Sequence, residues 1–271
     1  MQLRMLHPMR RIACALAVIG VSALGVAAPA SVRAGDLVQN GGFETYTDAE
    51  GITGGALLGA NGSIVADWTS SNNPNTNYQG GNFLYTPPST DMTGSFNPVI
   101  GYGVALWGPP FGSNNGLPEH SPAGGNYIGM DGDQSYFGLL SQSISGLTVG
   151  QSYRLSFYFA GAQEYPYSGS VPLTAELQVG FGSQTQDTPI LSYAPEGFTG
   201  WQLQTMTFVA DATSDTLSFL ALSTPNGVPP FVLLDGVSLT PEPSAILMLS
   251  IGLVGVGVVR RLHKLRRGLN R

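Results

Sequence analysis

Between residues 35 and 243, short runs of alternating apolar and polar side chains restrict this chain to one fold class. In residues 153–159 and 173–179 every second side chain is apolar, as in a strand that buries one of its faces. Further β-rich runs occupy residues 126–130, 139–144, 201–209, 216–222 and 231–239. Turn residues separate the runs, and no helical periodicity of useful length appears. The pattern predicts an all-β fold, an antiparallel sandwich, and roughly 205 residues are enough for one such domain.

Residues 69–124 do not follow this pattern. They are rich in Asn, Gly, Pro and Ser, with aromatic side chains interspersed. Stretches of this length without clear strands are functional loops or disordered segments, and aromatic residues argue against complete disorder. We therefore expect a long, partly ordered insertion that lies across one end or face of the sandwich.

The first 34 residues have the composition of a cleavable signal peptide. A basic start is followed by the apolar run 12–28 and by small residues that end at Ala34, which is a cleavage site of the expected type. Cleavage after Ala30 is one alternative. An uncleaved membrane anchor is another, and the shortness of the run and its break at Pro29 disfavour it. The domain that follows is predicted to be exported.

The other end of the chain carries a second signal. Pro241, Glu242 and Pro243 precede the apolar run 245–259, and a basic tail occupies residues 260–271. Fifteen helical residues rise about 22 Å, which is short of the roughly 30 Å hydrocarbon core of a bilayer. Snorkelling arginines and local thinning of the bilayer can cover the difference. The sequence predicts a single transmembrane helix whose basic end stays in the cytoplasm.

Taken in order, Pro241-Glu242-Pro243, the apolar run and Arg260-Arg261 resemble the PEP-CTERM sorting signal of Gram-negative bacteria that make extracellular polysaccharide. The resemblance covers residues 241–271. It implies a transient stay in the inner membrane, where an exosortase, a membrane-embedded cysteine transpeptidase-like enzyme, cleaves near the Pro-Glu-Pro sequence. The mature protein then moves to the cell surface or the extracellular matrix. An ordinary stop-transfer anchor is the alternative.

Charge is distributed unevenly along the chain. Of the 11 lysine and arginine residues, only Arg154 lies between residues 35 and 243, where all 17 acidic residues lie. The exported part therefore carries a formal charge of −16. Such a domain is not expected to bind nucleic acid, which needs clustered Lys and Arg, and it should attract divalent cations.

The exported part lacks the residues of several kinds of active site. The single cysteine, Cys14, lies in the predicted signal peptide, which leaves neither a disulfide nor a thiol nucleophile. His120 is alone in a polar loop, and no hydrolase, zinc-protease or phosphate-loop motif is present. Two carboxylates suffice for glycoside hydrolysis, but a pair among 17 acids is uninformative. We expect a non-catalytic protein, with a glycan hydrolase as a remote alternative.

Both ends of the β-rich region carry motifs of a known type of domain. Residues 36–44 read Asp-Leu-Val-Gln-Asn-Gly-Gly-Phe-Glu, Trp68 follows, and residues 234–239 read Leu-Asp-Gly-Val-Ser-Leu. Together they resemble the galactose-binding-like jelly rolls, which include carbohydrate-binding modules. The resemblance covers residues 36–240 and is clearest at the two ends. It implies a jelly-roll sandwich with a buried tryptophan at Trp68 and with its first and last strands together.

The same resemblance implies a structural Ca²⁺ where the first and last strands meet, with Glu44 and Asp235 as candidate ligands. Ca²⁺ prefers hard oxygen ligands such as carboxylates. The alternative is that both side chains cap turns or meet solvent. Asp131 and Asp133 look like half of a calcium loop, but no closing carboxylate follows at the required spacing. We interpret them as an Asp-Gly turn.

Sugar binding in such modules uses aromatic rings together with amides and carboxylates. The loop aromatics that are candidates here are Tyr85, Tyr102 and Trp107, together with Tyr78, Tyr165 and Tyr167. The alternative is that these rings pack within their own loop. The charge of the domain favours neutral polysaccharide over anionic polymers. Two functions remain: a surface protein that binds polysaccharide, and a purely structural surface protein with the same fold.

Overall fold

A computed structural model of the protein describes residues 35–47, 56–59, 64–73, 80–86 and 104–242. The predicted signal peptide with Ala34, and the aromatic residues Tyr78 and Tyr102, lie outside these residues. So does the tail from Pro243 onward, with the apolar run and with Arg260 and Arg261. The described part contains no helix of the length and apolarity that a membrane span requires.

The described residues form sixteen strands, a 3-10 turn at Pro109–Phe111 and the loops between them. The strands are β1 (Tyr46–Thr47), β2 (Ala56–Leu57), β3 (Ile64–Val65), β4 (Thr69–Ser70), β5 (Asn82–Tyr85), β6 (Ala105–Leu106), β7 (Tyr127–Asp131), β8 (Leu140–Ser145), β9 (Ser152–Tyr165), β10 (Leu173–Ala175), β11 (Leu177–Phe181), β12 (Gln184–Asp187), β13 (Leu191–Tyr193), β14 (Gln202–Val209), β15 (Ser214–Ala221) and β16 (Pro230–Pro241).

Two antiparallel sheets contain most of these strands. The smaller sheet has the order β12-β11-β15-β8-β4, and the larger has the order β14-β9-β16-β7-β5-β2, with β6 paired to the end of β9. The pairs β1–β3 and β10–β13 stand apart from them. Residues of β11 and β15 alternate between buried and less buried positions, because one face packs on the core and the other meets solvent. The prediction of an all-β antiparallel sandwich is confirmed.

The core between the two sheets consists of the apolar residues that the alternating pattern singles out. Leu155, Phe157 and Phe159 of β9 share one buried cluster with Leu217 and Phe219 of β15. The rings of Phe157 and Phe219 meet edge to face, with centroids 5.3 Å apart. Burial of each such side chain contributes about 1.5–3 kcal/mol, so these contacts hold the sheets together.

The larger sheet is covered on its outer face as well. The first six residues of β16 are all buried, and residues 231–234 alternate between a second apolar cluster and the core. We call this second group the outer cluster; it comprises Phe83, Tyr85, Leu106, Leu117, Tyr127, Ala160, Ala162, Phe231 and Leu233. The segment 104–124 covers the outer face through Leu106 and Leu117. A strand covered on both faces reads as a continuous apolar run, which explains the sequence at residues 230–234.

The first and last segments of the domain lie side by side, as the jelly-roll resemblance implies. The N–H of Leu37 donates to the carbonyl of Leu239 at 2.9 Å, and the N–H of Val237 donates to the carbonyl of Gly41 at 2.9 Å. Asp36 Oδ1 accepts the N–H of Leu239 at 2.9 Å. A Cβ on Gly41 would overlap the carbonyl of Val237, so only glycine allows this approach.

Candidate functional site

Asn40 holds the turn that leads to Glu44. Its φ of 50° lies in the left-handed region, which Asn tolerates better than most residues. Its Nδ2 donates to two backbone carbonyls at 2.8 and 3.0 Å, and its own carbonyl accepts the indole N–H of Trp68 at 3.1 Å. Phe43 is fully buried, with its ring 5.4 Å from that of Trp68. The motif at residues 40–44 therefore fixes the backbone from which Glu44 projects.

A β-bulge in β16 keeps Asp235 on the outer face of the sheet. The register between β16 and β9 shifts between Asp235 and Ser238, and Gly236 has a φ of 61°. Before the bulge, Leu233 belongs to the outer cluster, whereas after it Val237 belongs to the core. Bulges change the direction of side chains in this way. Asp235 thus lies where odd-numbered side chains of β16 change from the outer face of the sheet to the core face.

The two predicted calcium ligands, Glu44 and Asp235, face a common space. A Cβ built on Gly42 would lie 3.9 Å from Asp235 Oδ1 and 4.0 Å from Glu44 Oε1. Asp235 is fully buried. It accepts hydrogen bonds from the Ser121 hydroxyl and, at 2.6 Å, from the backbone N–H that follows it. Glu44 Oε1 accepts the N–H of Asn126 at 2.8 Å.

These surroundings fit a hard cation. Burial, and to a smaller extent the charge of Glu44, raises the pKa of Asp235 to about 7, against hydrogen bonds that lower it. A Cβ on Gly125 would overlap the Glu44 carboxylate, so glycine leaves room for that group. No cluster of three or more His, Cys, Asp or Glu forms among the described residues. Further oxygens, such as the Ser121 hydroxyl beside Asp235, would therefore have to complete the coordination of Ca²⁺.

The structure separates the aromatic candidates and corrects the position of Tyr85. Tyr85 is not in a loop: it lies in β5, is 1% exposed, and stacks on Tyr127 at 5.1 Å. Its ring is therefore closed to a sugar. The half-buried Trp107 donates its indole N–H to the carbonyl of Tyr167 at 2.5 Å and meets Tyr165 edge-on at 4.9 Å. Trp107 thus packs within its own loop and keeps part of its surface accessible.

Asp131 and Asp133 form the turn that the sequence indicates. Asp131 Oδ1 accepts the N–H of Asp133 at 2.8 Å. The two oxygens of Asp133 accept the N–H of Ser135 at 2.8 Å and the N–H of Gly227 at 2.5 Å. The Asp133 carboxylate is thus bonded to backbone N–H groups and ties the turn after β7 to the loop before β16.

A cavity of about 480 Å³ opens where the turn after β7 meets β10 and the end of β15. Its volume is within the range of roughly 300–1,000 Å³ that is typical of ligand pockets. Hydroxyl, amide and carboxylate groups line one part, and apolar side chains line the other. The polar part is lined by Gln134, Thr174, Glu176 and Thr224, and the apolar part includes Phe137 and Leu222. No local motif marks this cavity, because its walls come from segments far apart in the sequence.

Fold and site together define an acidic all-β sandwich with a carboxylate pair at its closing junction and, at one end, a cavity with a mixed apolar and polar lining. No family model matches the chain. A search of curated proteins finds Halomucin from Haloquadratum walsbyi, which is 27% identical over 244 residues. These residues make up 88% of this chain but 2% of that protein. The chain therefore spans a very small part of the curated relative.

Solved structures with a partial likeness include carbohydrate-binding modules. The structure of TmCBM61 with β-1,4-galactotriose has a TM-score of 0.39 and 13% identity, covering 77% of this chain and 99% of that chain. The K1 adhesin domain of Lys-gingipain from Porphyromonas gingivalis has a TM-score of 0.38 and 10% identity, covering 74% and 96% of the two chains. TM-scores at this level do not define a common fold, so the description of the sandwich rests on its own strand order.

Proposed function

We propose that this is an exported, non-catalytic protein of the cell surface or extracellular matrix, which binds neutral polysaccharide and is stabilised by Ca²⁺. The observation that carries the binding proposal is the 480 Å³ cavity, in which hydroxyl and amide groups and the Glu176 carboxylate lie beside an apolar wall. Such a lining suits hydroxyl-rich, uncharged ligands. The formal charge of −16 on residues 35–243 disfavours acidic polymers.

Affinity electrophoresis on immobilised neutral glycans, with Ca²⁺ present, tests the binding. We expect the parent to be retained and Phe137→Ala to weaken binding by about 1–3 kcal/mol, the scale of stacking on an aromatic ring. Trp107→Ala should show a similar loss where the glycan extends over the loop. Leu203→Ala, on the exposed side of β14, is the control and should bind like the parent.

Two outcomes of this experiment would contradict the proposal. A folded, calcium-loaded parent that is retained on no neutral glycan would leave the purely structural surface protein as the function. Release of reducing sugar from a bound glycan would instead indicate a glycan hydrolase, and would contradict the non-catalytic part of the proposal.

Export and sorting are proposed from the two end segments, and the folded domain adds one constraint. Strand β16 reaches Pro241, and the N–H of Glu242 donates to the carbonyl of Ser152 at 2.9 Å. Glu242 Oε1 also accepts the hydroxyl of Thr207 at 3.2 Å. Two of the three residues of the Pro-Glu-Pro sequence are therefore held by the sheet, so an exosortase would have to cut after them or after local fraying.

Mass spectrometry of the surface-exposed protein tests the processing. We expect a mature N-terminus near Gly35 and loss of the tail near Pro243. Recovery of an intact Arg271 terminus from the surface form would contradict sorting and leave an ordinary membrane anchor.

Calcium at Glu44 and Asp235 is tested by thermal unfolding. A ligand that binds only the native state stabilises it by about 2.7 kcal/mol at a hundredfold excess over its dissociation constant, which is roughly 5–10 °C for a domain of this size. Chelation should therefore lower the Tm of the parent and of the control Asp187→Asn, in an exposed strand. Asp235→Asn should show a clearly smaller calcium-dependent rise in Tm than the parent; a rise equal to that of the parent would exclude the site.

A further inference from the structure

A second pair of carboxylates lies on the outer face of the larger sheet, at the far end from Asp235. Ala160 and Ala162 of β9 belong to the outer cluster, so Glu164 faces the same side two residues further on. On β7, Tyr127 belongs to the outer cluster, and Asp131 shares its face by the same alternation. Both acidic side chains therefore project from one surface.

Only β16 separates the two strands that carry these carboxylates. Asp131 lies opposite Phe231, and Phe231 lies opposite Ala162. Two inter-strand steps of about 4.8 Å and two residues of about 3.4 Å along the strand separate the two Cα atoms by about 12 Å. Burial, and then the charge of Asp131, raises the pKa of Glu164 to about 8. The two acidic residues therefore flank Phe231 on the same face of the sheet.

The Tyr85 hydroxyl is an independent sign of a ligand at this place. A Cβ on Gly129 would come within 2.6 Å of Tyr85 Cε2 and 3.1 Å of Phe231 Cδ1, so the ring extends from β5 across β7 towards β16. Tyr85 is 1% exposed, and its hydroxyl has no hydrogen-bond partner among the described residues. After burial, the nearby charges of Glu164 and Asp131 contribute to its raised pKa. Buried hydroxyls are almost always hydrogen-bonded.

No lysine or arginine of residues 35–243 neutralises the pair. Arg154 is the only such residue in this part of the chain, and it lies on β9 about 33 Å along the strand from Glu164. Among the described residues, the Asp133 N–H is the one donor to the Asp131 carboxylate, at 2.8 Å, and none donates to the Glu164 carboxylate. Asp131 is buried and Glu164 is half-buried, and carboxylates removed from water without a cation are costly.

We propose that Asp131, Glu164 and Tyr85 form a second Ca²⁺ site, separate from the one at Glu44 and Asp235. The two carboxylates supply the charge and the hard oxygen ligands that Ca²⁺ prefers. The Tyr85 hydroxyl supplies a further oxygen or a hydrogen bond to water on the ion. An ion here connects β5, β7 and β9 at the end of the sheet where β16 begins. The site does not depend on polysaccharide binding.

Calorimetric titration of the full-length protein with Ca²⁺ tests this site. We expect two ions per chain in the parent and in the control Asp187→Asn. The double variant Asp131→Asn/Glu164→Gln should bind one ion fewer, whether or not Asp235→Asn is also present. Tyr85→Phe keeps the ring and removes the hydroxyl, and it should weaken this site about tenfold, the lower end of the effect of groups that support metal ligands.

Terbium, which replaces Ca²⁺ and emits when a nearby tyrosine is excited, gives a second readout. Its sensitised emission should fall in Asp131→Asn/Glu164→Gln. With metal chelated, this variant should melt no lower than the parent, because it removes repulsion between buried carboxylates; a lower Tm would show that the pair serves folding alone and would overturn the proposal. An unchanged number of bound ions in the double variant would also overturn it.

Discussion

Gly41 lies where the first segment of the domain meets the last strand. Its carbonyl accepts the N–H of Val237 at 2.9 Å, and a Cβ would overlap the Val237 carbonyl oxygen. A backbone oxygen cannot turn aside as a flexible side chain can. A side chain at this position therefore has to separate the two segments, and with them Glu44 and Asp235.

We expect Gly41→Ala to lower the free energy of unfolding by about 1–3 kcal/mol, as other overpacked positions do. Urea denaturation, followed by fluorescence, measures this change. Gly35→Ala is the control, because a Cβ there meets nothing within 4 Å. If the two variants unfold at the same urea concentration, the junction tolerates a side chain and the steric argument fails.

Some site residues can be found from sequence and others cannot. Glu44 and Asp235 belong to recognisable motifs at the two ends of the domain, and the structure brings them to one space. Tyr85 was misplaced, because β5 is buried at every position and so shows no alternation in a Pro- and Gly-rich stretch. Asp131 and Glu164 carry no motif: their proximity depends on the pairing of β7 and β9 with β16.

Among the elements, β12 and β14 each form one edge of their sheet, and side chains of β12 cap the edge of β14. Gln186 Nε2 donates to the carbonyl of Thr207 at 2.8 Å. Gln184 Nε2 donates to the carbonyl of Val209, whose N–H donates in turn to Gln184 Oε1 at 3.2 Å. Free strand edges are templates for pairing with another chain. The two glutamines occupy this edge and connect the sheets.

The double variant Gln184→Ala/Gln186→Ala should lower the free energy of unfolding by about 1–3 kcal/mol, from the loss of three modest hydrogen bonds. It should also associate more strongly, because the edge of β14 becomes free. Chemical denaturation and light scattering measure the two effects. Thr185→Ala changes the exposed residue between the glutamines and should match the parent. A monomeric, equally stable double variant would show that the edge is protected in another way.

Apolar patterning predicted most of the strands. In β8, β9, β11, β14 and β15 the pattern reflects a face or a stretch that meets solvent, whereas β7 and the start of β16 were predicted from short runs that are buried at every position. β12 reads Gln-Thr-Gln-Asp and has no apolar pattern; it is held by its pairing with β11 and by its glutamine contacts. A strand held by backbone pairing alone has no apolar pattern, so the hydropathy of its sequence cannot predict it.

At the scale of the whole molecule, buried carboxyl groups set the response to pH when calcium is chelated. Burial raises the pKa of Asp131 and of Asp235 to about 7, and that of Glu164 to about 8. Between about pH 4 and these values, the folded chain binds more protons than the unfolded chain, whose carboxyl groups titrate near 4. Stability then falls as pH rises. The loss of stability caused by ionising these carboxyl groups in the folded protein is absent below about pH 4 and complete above about pH 8.

We therefore expect the chelated protein to have a higher Tm at about pH 5 than at about pH 8. Calcium should reduce or reverse this difference, because it binds the ionised carboxylates. Thermal unfolding in chelator and in excess Ca²⁺, at both pH values, makes the comparison. Asp235→Asn and Glu164→Gln should each flatten the chelated profile. A chelated Tm that increases with pH over this interval would contradict the described burial.

The antiparallel contact between the first and last segments has a mechanical consequence. Leu37 pairs with Leu239, and Gly41 pairs with Val237 further inside, so the first and last described segments of the domain end side by side. Where flanking chain holds both ends, tension loads these hydrogen bonds one after another rather than all at once. The hydrogen bonds then break one pair at a time, starting from the end, and the next step separates Glu44 from Asp235. Pulling on this domain would release the calcium proposed there before the rest of the sandwich gives way.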